Sequence, residues 1–433
     1  MGKNIATTSM VRKLDAKNSV FCNVAGSLRQ VTLEDLSTSL GEIHTTQALR
    51  TVWNTGQPST VLQQSGNRDV LIDYLQACKR YVFNASGTKK AEIAYVEQFE
   101  NLGTSIVHFV DGYSTTVNAL NDAGCNWMTL RPELGFLSTE EDGVPVFYCA
   151  GRGSIAGGHS FPKKYVGMFK AYLQGEVLKS QPARVPTGAQ SLNYFLQRAK
   201  NGNSLFGLYN YSDWCKDNMI HLAYFGNTNY EENVGIGLIN DLKNNENIVS
   251  GICLADMNNQ IVSYGTSPCK DSQGNSVNRV HFFGLEGLGE QFQETVNGIK
   301  FVNDKVYVWD TNETFINSTS SIMRSFTRPG TKYFLCVKMI GGEFFDLISS
   351  NTMLDELTSG TYNKYFCDAN GGVIHNDSSE YSLRVGGNGQ QGSKSGISNG
   401  FYDSLISYDG SYNKVRISFY GEPLTVGGSE ILS

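Results

Sequence analysis

Three glutamates with helical spacing are the first residues whose types could do chemistry. Glu286, Glu290 and Glu294 stand four residues apart, so on a helix they would share one face. A pair of carboxylates can serve as acid and nucleophile in glycoside hydrolysis. The apolar residues of the same stretch mostly share another face, which is typical of an amphipathic segment. The spacing therefore predicts a helix with a solvent-facing acidic side, and a glycosidase-like carboxylate pair is the alternative.

A glycine-rich segment near the C-terminus has the form of a phosphate-binding motif. Residues 387–392 read G-x-G-x-x-G, and residues 387–395 approach a P-loop except that Ser393 separates Gly392 from Lys394. Both motifs need a strand before them and a helix after them, because backbone N–H groups and the helix dipole hold the phosphate. A polar Gly/Ser/Asn stretch follows here instead. The sequence therefore predicts a glycine-rich surface loop.

Nucleophile and metal motifs are missing from the sequence. The six histidines show no ligand spacing, and Ser160 of the Gly-His-Ser run has no nucleophile-elbow pattern around it. The nine cysteines are scattered and include no C-x-x-C pair, which indicates reduced, buried thiols rather than a zinc site. We therefore expect no metal, no cofactor and no enzymatic activity.

The composition of the chain argues against nucleic-acid binding and membrane insertion. The 433 residues carry a net charge of −6, and only 18% of them are charged, while 46 are glycine. Nucleic-acid binding draws most of its affinity from Lys and Arg, so we expect no nucleic-acid partner. No apolar run approaches the length of a membrane helix, and the first ten residues lack the apolar core of a signal peptide, so we expect no membrane insertion.

The predicted helices and strands that would position any site indicate an α+β fold. Helical periodicity covers residues 68–82, 191–200 and 214–224, with Asn210 and Asp213 as cap residues for the last of these. Only short strands follow, at 306–309, 333–339, 381–385 and 415–419. Helices first and an irregular β region afterwards predict an α+β fold with two main helices and short antiparallel strands.

A polar, aromatic segment between the last two predicted strands is the candidate binding site. Tyrosine offers a large amphipathic contact area, and asparagine, serine and glycine offer adaptable hydrogen bonds. Binding and a plain surface loop both remain open for this segment. The candidate ligand-binding residues are Asn388, Gln391, Ser398, Asn399, Tyr402, Asp403, Tyr408 and Tyr412.

The first forty residues form a candidate anchor. Strands over 20–24 and 29–33 joined by an Ala-Gly-Ser turn predict a hairpin, which is marginal in water unless it finds a partner. We expect this module to associate with other copies, as a dimer or trimer. The predicted division is 1–40 for the anchor, 41–95 for a helical linker region and 96–433 for the main domain. The anchor residues are Val20, Phe21, Val24, Leu28, Val31 and Leu33.

Several segments together resemble a known family. They are residues 206–213, 224–230 with 235–237, 283–288 with 296–299, 365–368, 383–387 and 404–421. Their order and spacing resemble virion fibre-type proteins of tailed phages and prophages of gut bacteria. The C-terminal part of those proteins has a C-type-lectin-like fold related to the formylglycine-generating enzyme. Residues 19–33 also resemble the virion-anchoring segment of such fibres.

The resemblance implies a structural protein of a phage particle, a head or tail fibre assembled in the bacterial cytoplasm. Its N-terminus would contact other virion proteins, and its lectin-like domain would bind a host-surface glycan or protein. A purely architectural decoration protein is the alternative, and an enzyme on the formylglycine-generating scaffold is a further one. That enzyme's close cysteine pair is not matched, since Cys336 and Cys367 stand 31 residues apart. Residues 286–290 also lack the Asn and Trp of its Gly-Asn-Val-Trp-Glu pattern.

Overall fold

The fold of this protein is rich in β-sheet. The computed structural model describes residues 19–24, 27–32, 47–52, 62–142, 144–227, 229–235, 237, 248–257, 263–270, 274–290, 294–302, 305–309, 324–327, 333–334, 338–340, 346–348, 370–371, 378–386, 400–405, 407 and 414–432. Across these residues, strands outnumber helices by far, and most of the sheets are antiparallel. The predicted α+β domain with two main helices and short strands is therefore wrong.

Five α-helices lie among the described residues, and one of them starts at the cap that the sequence indicated, Asn210. Ser191 accepts a hydrogen bond from Tyr194 N, and Asn210 forms a capping box with Asp213. The predicted helix over 68–82 is wrong beyond residue 76, because residues 80–83 form a strand. The helices are α1 (Asp69–Gln76), α2 (Val117–Asp122), α3 (Leu192–Lys200), α4 (Tyr211–Phe225) and α5 (Tyr230–Asn233).

The strands are mostly three to nine residues long. In chain order they are β1 (Ser19–Val24), β2 (Ser27–Thr32), β3 (Leu49–Val52), β4 (Gln64–Gly66), β5 (Arg80–Phe83), β6 (Lys89–Glu97), β7 (Ile106–Phe109), β8 (Ser114–Thr116), β9 (Asn126–Arg131), β10 (Leu134–Glu141), β11 (Val144–Gly151), β12 (His159–Phe161), β13 (Lys164–Gly167), β14 (Tyr172–Gln174), β15 (Val177–Lys179), β16 (Phe206–Leu208), β17 (Tyr264–Lys270), β18 (Ser276–Phe282), β19 (Leu285–Glu286), β20 (Glu294–Val302), β21 (Lys305–Val308), β22 (Arg324–Thr327), β23 (Tyr333–Phe334), β24 (Lys338–Ile340), β25 (Asp346–Ile348), β26 (Asn370–Gly371), β27 (Glu380–Val385), β28 (Gly400–Leu405), β29 (Ile417–Phe419) and β30 (Leu424–Thr425).

Two large sheets organise the chain. The first has the order β16-β29-β13-β9-β5-β6-β7-β8, with β30 joined to β6, and the second has the order β22-β21-β20-β27-β28-β26-β23. A five-stranded sheet has the order β12-β10-β11-β3-β4, and a three-stranded sheet has the order β17-β18-β19. The pairs β1-β2, β14-β15 and β24-β25 complete the set. Because β29 lies inside the first sheet although it comes late in the sequence, the C-terminal segment is part of the core structure.

One hydrophobic core joins α4 to strands from several sheets. Side chains from α1, α4, β10, β11, β18, β20 and β27 share a single buried cluster. The long helix α4 is buried nearly all round, because residues 211–223 are all inaccessible to solvent. Trp127, Trp214 and Trp309 are buried, so their rings belong to the core.

Ion pairs within the core hold helix α4 to the first sheet. Arg131 of β9 pairs with Asp217 of α4 over 3.0 Å, and Tyr209 donates its hydroxyl hydrogen to the same carboxylate over 2.8 Å. Lys164 of β13 lies 3.4 Å from Asp213. A buried charge is tolerated only when it is paired and hydrogen-bonded, so these contacts fix how the helix sits on the sheet.

The N-terminal hairpin is present. Strands β1 and β2 pair antiparallel, with Val20 opposite Val31 and Val24 opposite Ser27. The backbone therefore confirms the two predicted strands. Of the anchor residues, Val20, Phe21, Val24, Leu28 and Val31 lie on these strands, and Leu33 lies outside the described residues.

Candidate functional site

The candidate site is framed by two neighbouring strands of the seven-stranded sheet. Strand β27 pairs antiparallel with β28, with Tyr381 opposite Leu405 and Val385 opposite Gly400, and the register shifts between Ser382 and Arg384. Strand β27 also pairs with β20, so it lies inside the sheet. Tyr381, Leu383 and Val385 are buried in the main core. The chain between residues 386 and 400 therefore starts on a buried strand, β27, and ends on the strand that pairs with it, β28.

The segment 386–413 begins and ends beside Glu294. The backbone of Glu294 lies opposite Val385 of β27 and forms a bridge with Lys414, while Thr295 N donates to Lys414 O over 2.8 Å. Gly386 leaves β27 with a φ of 87°, and a Cβ there would stand 3.0 Å from the carbonyl oxygen of Glu290. This close approach in a left-handed conformation requires glycine.

The side chain of Glu294 forms a buried ion pair with Arg416. Arg416 Nη2 donates to Glu294 Oε1 over 2.5 Å, and Arg416 Nε donates to Oε2 over 3.2 Å. The same guanidinium donates to the carbonyl oxygens of Gly167, Met168 and Glu286, each over 2.8 Å. Arg416 has no accessible surface. We call strands β20, β27 and β28, Gly386 and residues 414–416 the C-terminal frame.

Lys170 adds a second cation beside the frame. Its Nζ lies 3.9 Å from Glu294 Oε1, and its side chain is 2% exposed. Burial lowers the pKa of Lys170 to about 8, although Glu294 and Glu290 act in the opposite direction. The cluster is thus a desolvated network of charges whose attractions offset part of the cost of burial.

The three glutamates that could have done chemistry are all buried in this structure. Glu286 accepts hydrogen bonds from Gly251 N and Cys253 N and pairs with Arg279 over 3.2 Å. Glu290 pairs with Arg279 over 2.9 Å, and burial raises its pKa while Arg279 acts to lower it. The predicted amphipathic helix is wrong: the segment is strand, turn and strand. Its glycines explain the error, since Gly287 and Gly298 have φ values of 74° and 79° that no helix allows.

The predicted ligand-binding residues are only partly within the described chain. Tyr402 and Asp403 lie on β28, one and two residues beyond Phe401, which stands opposite Arg384. Their strand is part of the C-terminal frame. Asn388, Gln391, Ser398, Asn399, Tyr408 and Tyr412 lie outside the described residues.

His221 and His281 are buried. Burial lowers the pKa of His221 to about 3 and that of His281 to about 4. His221 Nε2 lies 3.0 Å from Asn233 Nδ2, and its ring lies among Phe225, Tyr230 and Phe282. Both rings are thus neutral members of the core at ordinary pH.

Sequence reasoning missed the residues that build the frame. The sequence alone assigns no role to Arg416 or Lys170, and nothing in their spacing marks them as buried. The one available signal is that Arg416 alternates with Val415 and Ile417 inside an apolar run, where a charge needs a partner. Its partner, Glu294, is 122 residues away.

No group of His, Cys, Asp or Glu in the described chain is arranged to hold a metal ion. The described cysteines are free thiols, namely Cys78, Cys125, Cys149, Cys215, Cys253 and Cys269. No described helix combines the length and apolar character needed to cross a bilayer.

The chain matches no protein-family model, and no curated protein is significantly similar to it.

Proposed function

We propose that this chain is a structural protein of a bacteriophage particle, a head or tail fibre that binds a glycan or protein on the host surface. The binding residues are those carried by the chain between β27 and residue 414. The observation that supports this most directly is the C-terminal frame. A buried Arg416–Glu294 pair ties together the strands on which this polar, tyrosine-rich stretch begins and ends.

A loop that its scaffold preorganises is favoured as a binding site. Ordering a loop at the moment of binding costs free energy, and a rigid scaffold reduces that cost. Binding residues are concentrated on segments that such scaffolds hold. The composition of residues 388–412 fits recognition of a polar surface, because Tyr and Asn combine contact area with hydrogen bonds.

The N-terminal hairpin supports the fibre part of the proposal. An isolated two-stranded hairpin is marginal in water, so β1 and β2 need a partner surface, either another copy of the chain or another virion protein. Association into a dimer or trimer would present several weak sites together and raise the avidity for a host cell.

Adsorption to host cells tests the proposal. The combined substitution of Tyr402, Tyr408 and Tyr412 by alanine should weaken binding at least about 100-fold, since each aromatic hot spot contributes about 1–2 kcal/mol. Tyr95→Ala is the matched control, because Tyr95 is an exposed aromatic residue on β6, outside the frame. Undiminished adsorption of the triple variant would contradict the proposal and favour a purely architectural protein.

A further inference from the structure

A cleft of about 850 Å³ opens on a part of the molecule that shares no lining residue with the C-terminal frame. Three segments form its walls: residues 98–103 after β6, residues between 249 and 256, and residues 267–270 of β17. Its volume lies within the range of small-molecule sites, which is roughly 300–1,000 Å³. The cleft is therefore large enough to hold an organic ligand.

The walls of the cleft are fixed relative to one another. The amide of Gln98 bridges two of them, because its Nε2 donates to Ile252 O over 3.1 Å and its Oε1 accepts from Ala255 N over 2.9 Å. The second wall is held from behind by Glu286, which accepts the N–H groups of Gly251 and Cys253. Such a preformed cleft pays little ordering cost when a ligand binds.

The lining combines an exposed aromatic ring with polar side chains. Phe99 is 40% exposed, although its backbone is fixed by a hydrogen bond from Phe99 N to Ser105 Oγ. Asn101 and Asp256 belong to different walls, and partial burial raises the pKa of Asp256. An aromatic face beside amide and carboxylate groups matches the surface of a sugar, which has an apolar C–H face and a ring of hydroxyls.

The charges around the cleft select among sugars. The lining carries two carboxylates, those of Glu100 and Asp256, and one ammonium, that of Lys270. Lys270 Nζ donates to Ser276 Oγ over 2.7 Å. Two carboxylates against one ammonium disfavour phosphates, nucleotides and acidic sugars. Neutral sugars and amino sugars carry no such penalty.

A peptide added as an extra strand fits the cleft less well. Strand β17 is the outer strand of the β17-β18-β19 sheet, so its edge could in principle pair with an extended chain. Pro268 stands in the middle of the segment that lines the cleft. Proline has no N–H to donate, and it is a residue that protects exposed strand edges from pairing.

We propose that this cleft is a second binding site that takes a neutral or amino-sugar unit of an oligosaccharide. Phe99 packs against the C–H face of the sugar ring, and Asp256 and Asn101 accept or donate hydrogen bonds to its hydroxyls. This inference concerns a different surface from the C-terminal frame and does not depend on the function proposed for it.

An array of bacterial surface oligosaccharides, probed with the labelled full-length protein, tests the inference. On the array, the protein should bind neutral or amino-sugar oligosaccharides. Titration calorimetry then measures the affinity for one of them. Phe99→Ala should weaken this binding about two- to tenfold through the lost ring contact. Asp256→Asn should weaken it about tenfold, since hydrogen bonds to charged groups are the stronger ones. Tyr95→Ala is the matched control, because Tyr95 is 41% exposed and does not line the cleft.

Three results would overturn the inference. They are an array without any bound oligosaccharide, a bound oligosaccharide whose affinity neither variant changes, and binding restricted to acidic sugars. The triple alanine variant of Tyr402, Tyr408 and Tyr412 separates this site from the frame. It should bind the array oligosaccharides with wild-type affinity, whatever it does to host adsorption.

Discussion

Substitution of Arg416 by methionine should unfold the C-terminal frame at a much lower denaturant concentration than the wild type. The guanidinium has no accessible surface, and its removal leaves the Glu294 carboxylate, 3% exposed, without its main partner. Removing one partner of a buried pair costs about 3–5 kcal/mol. Met168 O keeps the hydrogen bond from Glu286 N, so the carbonyl groups add only about 1 kcal/mol more. We expect a total loss of about 4–6 kcal/mol, a large part of the about 5–15 kcal/mol that folded proteins have.

Urea unfolding followed by tryptophan fluorescence measures this loss, because Trp127, Trp214 and Trp309 are all in the core. The midpoint should fall by about 1–2 M for Arg416→Met. Lys79→Met is the matched control: Lys79 pairs with Glu92 over 2.9 Å, but its side chain is 52% exposed, so its loss should cost less than about 1 kcal/mol.

A double variant tests the Arg416–Glu294 pair itself. Arg416→Met combined with Glu294→Leu removes both buried charges, and a pair replaced by apolar residues is often nearly neutral. The double variant should therefore be more stable than Arg416→Met alone by at least about 2 kcal/mol. A single variant within about 1 kcal/mol of the wild type, or a double variant less stable than the single one, would refute the role assigned to the pair.

Three other predictions concern pH, the C-terminal segment and the anchor. The pKa of His221 is about 3 in the folded chain and about 6.5 when unfolded, so the unfolded chain binds the extra proton and stability falls as the pH drops from about 6.5 towards 3. His221→Gln should lose less stability than the wild type over that range, by about 1.4 kcal/mol per pH unit, and parallel pH profiles in urea melts would contradict this. Burial acts to raise the pKa of Glu422, but hydrogen bonds from Lys163, Lys90 and Tyr165 outweigh it and lower the pKa to about 2. Glu422→Gln should speed amide hydrogen exchange at Leu424 and Val426, whose N–H groups donate to Thr88 O and Lys90 O, and unchanged exchange there would show that the charge does not hold this segment. Light scattering should give a dimer or trimer for the full chain and a folded monomer, by circular dichroism, for a chain starting at residue 41; two monomers would argue against the fibre.

Local signals in the sequence predicted helices α3 and α4. The apolar periodicity of 191–200 and the cap signal at Asn210 act over a few residues, so both helices could be placed from the sequence, although α4 starts at Tyr211 and not at Trp214. The strands 381–385 and 415–419 were also found approximately, as β27 and β29. These elements are specified by neighbouring residues, and neighbouring residues are what a single sequence displays.

The sheets could not be predicted in the same way, because their signals are long-range. Residues 294–301 of β20 are buried on both faces, so no alternation of polar and apolar residues marks it as a strand. The spacing of Glu286, Glu290 and Glu294 imitates a helix, although Glu286 and Glu290 pair with Arg279 and Glu294 pairs with Arg416. Only the folded chain brings Glu294 to Arg416, so the frame could not be inferred from spacing.

The frame also makes the receptor-binding and architectural hypotheses distinguishable by experiment. In a receptor-binding fibre, stability depends on Arg416 and Glu294, whereas binding depends on Tyr402, Tyr408 and Tyr412. The tyrosine variant should then lose adsorption and keep the wild-type urea midpoint, while Arg416→Met should lose both. In an architectural protein neither variant has adsorption to lose, and the two would differ in stability alone. The pair of measurements therefore separates a defect in recognition from a defect in folding, which adsorption alone cannot do.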